Sequence, residues 1–207
     1  MIILGVVGGI ASGKSFVSKS LQQLGATVLD ADRMGHLVLL EPEVQDALLK
    51  RWGAEILASD GRIDRKAIAR IVFDPSERGI HALRFLEQLT HPRIGRLLDE
   101  RLEQLRQLNR FPIVVLDAPV MFKAGWDRKC DRIVFVEAPE ELRLKRATLR
   151  GWTEADFRDR ERRQESMEQK RQRADFVIDN SGTPQQTLQQ VRVLWDKLLS
   201  PTEPAAL

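Results

Sequence analysis

The feature that most restricts this chain is the octet Gly8-Gly9-Ile10-Ala11-Ser12-Gly13-Lys14-Ser15, which follows an apolar run over residues 2–7. It fits G-x-x-x-x-G-K-[ST], a pattern with mechanical content. Glycines at 8 and 13 permit backbone angles and a closeness of approach that a side chain blocks. Successive N–H groups, Gly9 through Phe16, then face inward at the positive end of a helix and cradle phosphate oxygens. Lys14 supplies a point charge to the β- and γ-phosphates, and the Ser15 hydroxyl is suited to Mg²⁺. A chance match in a glycine turn is the competing explanation. The setting, strand before and helix after, is the one the motif requires, so a bound nucleoside triphosphate is expected.

The rest of the chain supplies the frame. Residues 2–7 are apolar on both faces, as in a buried strand. Phe16, Val17, Leu21 and Leu24 fall at helical spacing until Gly25 stops the run. Residues 26–29 form a second strand that ends in Asp30-Ala31-Asp32. This strand–loop–helix–strand unit predicts two parallel strands lying side by side. Residues 33–109 are mostly helical, with turns at Asp60-Gly61 and Asp74-Pro75. Asp64 is placed as the N-cap of a helix reaching Phe73, and Pro92 in the first turn of a helix that carries Ile94, Leu98, Leu102 and Leu105 on one stripe. Strand patterns return at residues 113–116, 133–136 and 176–178. Residues 153–173 are densely charged with few apolar anchors, Thr183-Pro184-Gln185-Gln186 reads as a capping box, and residues 201–207 read as a frayed tail. Five strands separated by helices indicate an open α/β sheet.

Composition narrows the partners. The chain has 207 residues, 43% of them hydrophobic, which suits one domain with an inserted lobe. Its single cysteine, Cys130, excludes a disulfide framework and a cysteine-rich zinc site. A net charge of +3 permits an anionic ligand without calling for nucleic acid. No apolar run reaches the roughly 18 residues of a membrane helix, and the first residues lack a basic signal region. A cytoplasmic protein is expected, a monomer or weak homo-oligomer, with neither nucleic acid nor membrane as partner.

The fate of the phosphate rests on further residues. Asp30 and Asp32 lie at the carboxyl end of the second strand, the edge where open α/β sheets bind ligands. Positions two apart on a strand share a face, so one or both carboxylates are expected in the crevice. Such a carboxylate can accept the proton of an attacking hydroxyl; a helix N-cap or an outer-sphere magnesium partner is the plainer alternative. Asp117, ending the third strand, stands equally between a magnesium role and a turn with Pro119. Two D-x-x-G matches, at Asp32 and Asp179, occur without any [NT]-K-x-D segment, which favours ATP over GTP. Cys130 follows Lys129, which favours its thiolate mildly; Trp152 is assigned to packing, with stacking on a base as the alternative.

At this point the chain resembles bacterial dephospho-CoA kinases. The residues that carry the likeness are the loop from Gly8 to Ser15, Asp30-Ala31-Asp32, His91-Pro92, Asp117-Ala118-Pro119-Val120-Met121-Phe122, Lys145-Arg146 with Arg150, and Val177-Ile178-Asp179-Asn180. The resemblance implies transfer of the γ-phosphate of ATP, with Mg²⁺, to the ribose 3′-hydroxyl of dephospho-CoA. It implies a P-loop kinase fold, a three-layer α/β/α core with a five-stranded parallel sheet at about 1–32, 111–140 and 174–200. A helical acceptor-binding lobe at about 33–110 and a helical lid at about 141–173 complete it. In that likeness Asp32 is the catalytic base, and Arg146 and Arg150 are lid arginines. Asp179 and Asn180 pass the adenine, and His91 and Pro119 belong to the acceptor side. The chain departs from the family at Val7, Ala11 and Phe16, and Lys123 stands where the family has an acid. Another kinase of this fold and a nucleotide-dependent RNA-binding module are the rival readings.

Overall fold

The computed structural model describes residues 1–200; the tail expected at 201–207 lies outside the described residues. Two compact units are present among them, one formed by residues 1–30 and 102–200, the other by residues 31–101.

The first unit is built on a five-stranded, all-parallel sheet: β1 (Ile2–Gly8), β2 (Thr27–Asp30), β3 (Ile113–Asp117), β4 (Arg132–Glu137) and β5 (Phe176–Asp179), in the order β2-β3-β1-β4-β5. The expectation that the first two strands lie side by side is corrected: β3 sits between them, pairing Ile2 with Ile113 on one edge and Thr27 with Val114 on the other. The helix after β1 carries the chain past one strand position before β2 begins, and the vacancy is filled by a strand more than 80 residues later. Local pattern does not encode such an insertion.

Register is pinned by paired devices. The Asp131 carboxylate accepts the Ile3 N–H at 2.7 Å, and the Asp175 carboxylate accepts the Ile133 N–H at 2.7 Å. Each satisfies a donor at the start of a neighbouring strand. Helices α1 (Lys14–Gln23) and α9 (Pro184–Leu199) cover one face, where Val17, Leu21, Val191, Leu194 and Leu198 bury against Leu4, Val6, Val115, Val134 and Ile178. Thr183 caps α9 in the expected box, its hydroxyl accepting from Gln186 N. On the other face Met121 and Cys130 close over Gly5, whose missing side chain leaves room for both sulfurs.

Helices α6 (Glu140–Thr148), α7 (Glu154–Arg162) and α8 (Met167–Gln172) make up the charged stretch. Its anchor is Phe157, fully buried with Ala147 against Ile10 and Ala11. A single aromatic fixes a segment that otherwise reads as solvated. Trp152 is covered by the Arg160 guanidinium at 4.3 Å from the ring centre.

The second unit contains α2 (Ala31–Val38), α3 (Pro42–Trp52), α4 (Arg65–Val72) and most of α5 (Glu77–Leu108). Asp64 caps α4 by accepting from Lys66 N at 2.8 Å. Trp52 meets Phe85 edge-on at 5.6 Å. The helix start expected at Pro92 is corrected, because Pro92 lies inside α5. An interior proline costs roughly 3 kcal/mol. Here its ring is exposed, and nearby side chains take up backbone carbonyls: Thr90 Oγ1 donates to Leu86 O and Arg93 to Leu89 O. Arg93 also pairs with Glu41 at 3.3 Å.

Cys130 is not activated. Burial, with Asp127 and Asp131 nearby, pushes its thiol up to about 12, and Lys129 does not reverse this. Iodoacetamide at pH 8.5 should therefore alkylate Cys130 in the folded protein about 10²–10³-fold more slowly than in the urea-unfolded chain. Equal rates would contradict this burial.

Candidate active site

The carboxyl end of the sheet gathers the loop between β1 and α1 with the ends of the other strands. Gly13, at φ 102°, precedes α1 without any side-chain cap, and no acid occupies the first turn. Elsewhere helices α4, α7 and α9 receive side-chain caps. The start of α1 is thus left open.

Hydrogen bonding in this loop is one-sided. Lys14 Nζ donates to Gly8 O at 3.1 Å and Gly9 O at 2.8 Å. Arg143 donates to Ile10 O at 3.4 Å. Ser12 O accepts from Asn180 Nδ2 at 2.7 Å and from Arg146 at 3.2 Å. Gly13 O accepts from the Phe16 and Val17 amides. The N–H groups of Ile10, Ala11, Gly13, Lys14 and Ser15 have no protein acceptor among the described residues. The buried Ser12 Oγ likewise lacks a partner. Five donors without a protein partner, gathered on one loop at the start of a helix, mark a site for an external anion.

Ala11 holds φ 56° within this loop, a left-handed geometry that costs a non-glycine residue roughly 1–2 kcal/mol. Its methyl group packs with Phe157. Lys14 is held down to about 8 by burial, aided by Lys170, Arg143 and Arg150 and opposed by Asp117. Its ammonium is costly to keep charged in the absence of an anion.

Asp117 ends β3, and Ser18 Oγ on α1 donates to it at 3.3 Å. Asp117 lies opposite Asp30 across the β2–β3 pair. Ser15 in the first turn of α1 is exposed. Ser15 and Asp117 offer hard oxygen donors of the kind Mg²⁺ takes alongside phosphate and water, and the anion cradle next to them fits a magnesium–phosphate group. The strand-period argument for Asp30 and Asp32 is corrected: the strand stops at Asp30 and α2 starts at Ala31, so Asp32 occupies a first helical turn, exposed.

Arg146 bridges two backbone carbonyls, Ser12 O and Asn180 O, the latter at 2.8 Å. Asn180 is buried, donates to Ser12 O and accepts from Thr187 Oγ1 at 2.9 Å. With Gly13, Phe16, Leu149, Arg150, Gly182 and Pro184, these residues line an open cleft of about 390 Å³. Asp179 is not part of that cleft. Its backbone N–H and C=O are both held by the Gln190 amide at the outer edge of β5. Pro119 lines a small enclosed pocket with Lys14. His91 is half-buried within α5, on the second unit.

Three contributors escape sequence reasoning. Arg143 is 4% exposed; it donates to Ala138 O at 3.1 Å, pairs with Glu161 and lies over Phe157. Ser18 carries no motif beyond its place four residues after Lys14. Lys170 lines the enclosed pocket beside Lys14. The only signal for Arg143 and Lys170 was membership of a charged stretch, which does not distinguish a buried cation from a solvated one.

A methyl group on Gly13 would run into Asn180 Nδ2 and would also have to accept φ 102°. Gly13→Ala should lower stability by about 2 kcal/mol or more and cut nucleoside triphosphate affinity at least about tenfold, read by denaturant titration and calorimetry. Unchanged binding would show that Asn180 does not shape the loop.

Comparison with known proteins agrees with this geometry. A family model described as dephospho-CoA kinase matches residues 2–186. A dephospho-CoA kinase of Geobacter metallireducens is 41% identical over 198 residues, covering 94% of this chain and 96% of the relative. Among solved structures, a Thermus thermophilus protein superposes with a TM-score of 0.79 at 36% identity, over 97% of this chain and 98% of its own. Dephospho-CoA kinase from Campylobacter jejuni superposes with a TM-score of 0.70 at 26% identity, over 94% and 96%. An uncapped anion cradle on a five-stranded parallel sheet, and a family match running along nearly all of its length, place this chain in the dephospho-CoA kinase family.

Proposed function

We infer that the protein transfers the γ-phosphate of ATP to the 3′-hydroxyl of the dephospho-CoA ribose, giving coenzyme A and ADP. The observation that carries the chemistry is the row of unpaired N–H groups at Ile10, Ala11, Gly13, Lys14 and Ser15, backed by carbonyls already occupied by protein donors. Family membership supplies the acceptor. The reading places ATP phosphates on those amides, and the base in the cleft of Phe16, Arg146, Leu149 and Asn180.

In the proposed mechanism Lys14 trades its contacts with the Gly8 and Gly9 carbonyls for phosphate oxygens, and its charge becomes easier to hold. Ser15 and Asp117 would hold Mg²⁺, which when bound neutralises charge on the phosphates. Asp32 orients the acceptor hydroxyl and takes its proton. The new bond forms between the 3′-oxygen and the γ-phosphorus as the bond to the β–γ bridging oxygen breaks, and ADP leaves. Arg146, fixed across the loop and Asn180, offsets charge that develops on the phosphoryl group. Residues 33–110 are assigned to acceptor binding, with His91 and Pro119 on the acceptor side. Residues 141–173 are assigned to a lid that excludes water, without which ATP would be hydrolysed. Among the described residues no helix is long and apolar enough to cross a membrane.

A coupled ATP assay with mass detection tests the substrate: dephospho-CoA should gain one phosphoryl group, while AMP, UMP and shikimate should not. Turnover of one of those three in preference to dephospho-CoA would favour a different kinase of this fold. Asp32→Asn should leave ATP affinity nearly intact and lower kcat by about 10²-fold or more; a near-normal rate would move the base role elsewhere. Arg146→Ala should reduce kcat by about 10²–10³-fold and ATP affinity far less. Small and equal effects on both would reduce Arg146 to a structural brace.

A further inference from the structure

Two cations are buried beside the phosphate cradle, and they differ in how they are compensated. Arg143 is fully engaged, by the carbonyls of Ala138 and Ile10 and by the Glu161 carboxylate. Lys170, on α8, is 3% exposed, yet among the described residues its ammonium donates only to the neutral Gln164 Oε1, at 2.8 Å. Glu165 and Glu161 reach it only through space. Burying an ammonium without a carboxylate contact is costly, and burial holds its proton affinity below that of an ordinary lysine.

The position of Lys170 makes the cost harder to explain by packing. It lines the same enclosed pocket as Lys14, with Gly8, Ala118 and Pro119. Of the cations that act on Lys14, Lys170 is the strongest. Two like charges thus share one pocket at the carboxyl ends of β1 and β3. Helix α8 is held there firmly. Met167 packs onto Gly9, Arg171 pairs with Glu137 at 3.4 Å, and Arg173 stacks on Phe122 at 3.8 Å while pairing with Asp127 at 2.6 Å. A device meant only to pin the helix is already supplied by those contacts, and a carboxylate partner would serve it better than a second ammonium. The space between them is too small for a water molecule while Lys14 bonds Gly8 O and Gly9 O; once Lys14 moves off those carbonyls, an anion between Lys14 and Lys170 resolves the arrangement.

We propose that Lys170 is a further catalytic residue, whose ammonium joins Lys14 on the terminal phosphoryl group of ATP and stays with that group during transfer. This rests on the ATP-dependent kinase reading above. Lys170 forms no covalent bond in the step; it offers hydrogen-bond donors to equatorial oxygens whose charge is redistributed as the bridging bond breaks. ADP lacks those oxygens, so the contact discriminates ATP from ADP.

The test compares wild type, Lys170→Met and Lys170→Arg in steady-state turnover with dephospho-CoA, in calorimetric titrations with ATP and with ADP, and in thermal melting. Lys170→Met should lower kcat by about 10²-fold or more, weaken ATP several-fold more than ADP, and leave the KM for dephospho-CoA nearly unchanged. Lys170→Arg, which keeps the charge, should recover a substantial part of the rate. Normal kcat in Lys170→Met would overturn the proposal. So would an equal loss of ATP and ADP affinity with a lowered melting temperature, which is the signature of a lid anchor. Should Lys170→Met not fold, Lys170→Gln is read by the same ATP-to-ADP ratio. A wild type that does not phosphorylate dephospho-CoA would instead overturn the function reading.

Discussion

The structure depends on a loop whose carbonyls are held from outside, leaving its N–H groups to point at a ligand. Lys14 on α1, Arg143 and Arg146 on α6, and Asn180 after β5 each take one or more carbonyls between Gly8 and Ser12. With acceptors occupied, the amides at the start of α1 have no acceptor among the described residues. The missing helix cap belongs to the same design, since a serine or aspartate cap would occupy the donors that phosphate needs. The cradle is preorganised, so little reorganisation is required when charge arrives.

The same interactions tie helices α6, α7 and α8 to the loop. Arg143 and Phe157 connect α6 and α7 to Ile10 and Ala11, and α8 rests on Gly9 through Met167. The densely charged stretch therefore has its few apolar and buried groups turned onto the loop. Its surface pairs, such as Arg158 with Glu140 and Glu154, are solvent-exposed and worth little individually. On the proposed reading, an anion that relieves Lys14 and Lys170 would strengthen the docking of α8, because the two share those contacts.

What sequence made legible was local. The octet from Gly8 to Ser15, the Asp64 cap and the Thr183 capping box each place a few neighbouring residues under one constraint, and each appears as expected. The five-stranded α/β frame was also legible, because apolar runs alternate with helical spacing. Strand order was not, since β3 enters between β1 and β2 from far along the chain. Nor was the passage of α5 through Pro92, since a proline reads locally as a helix start. Around the loop, Lys14, Ser15 and Arg146 could be named as candidates in advance. Arg143 and Lys170 could not, because burial of a cation is decided by tertiary contacts that charge patterning does not record. Asn180 was placed near the base by resemblance alone, and its grip on Ser12 emerged only from the folded chain.

The most direct measurement is a crystal structure of the protein with Mg²⁺ and a non-hydrolysable ATP analogue. The account predicts phosphate oxygens within hydrogen-bond distance of the amides of residues 10–15, with Lys14 swung off the Gly8 and Gly9 carbonyls onto the phosphates. A triphosphate bound elsewhere, with Lys14 still bonded to those two carbonyls, would contradict it.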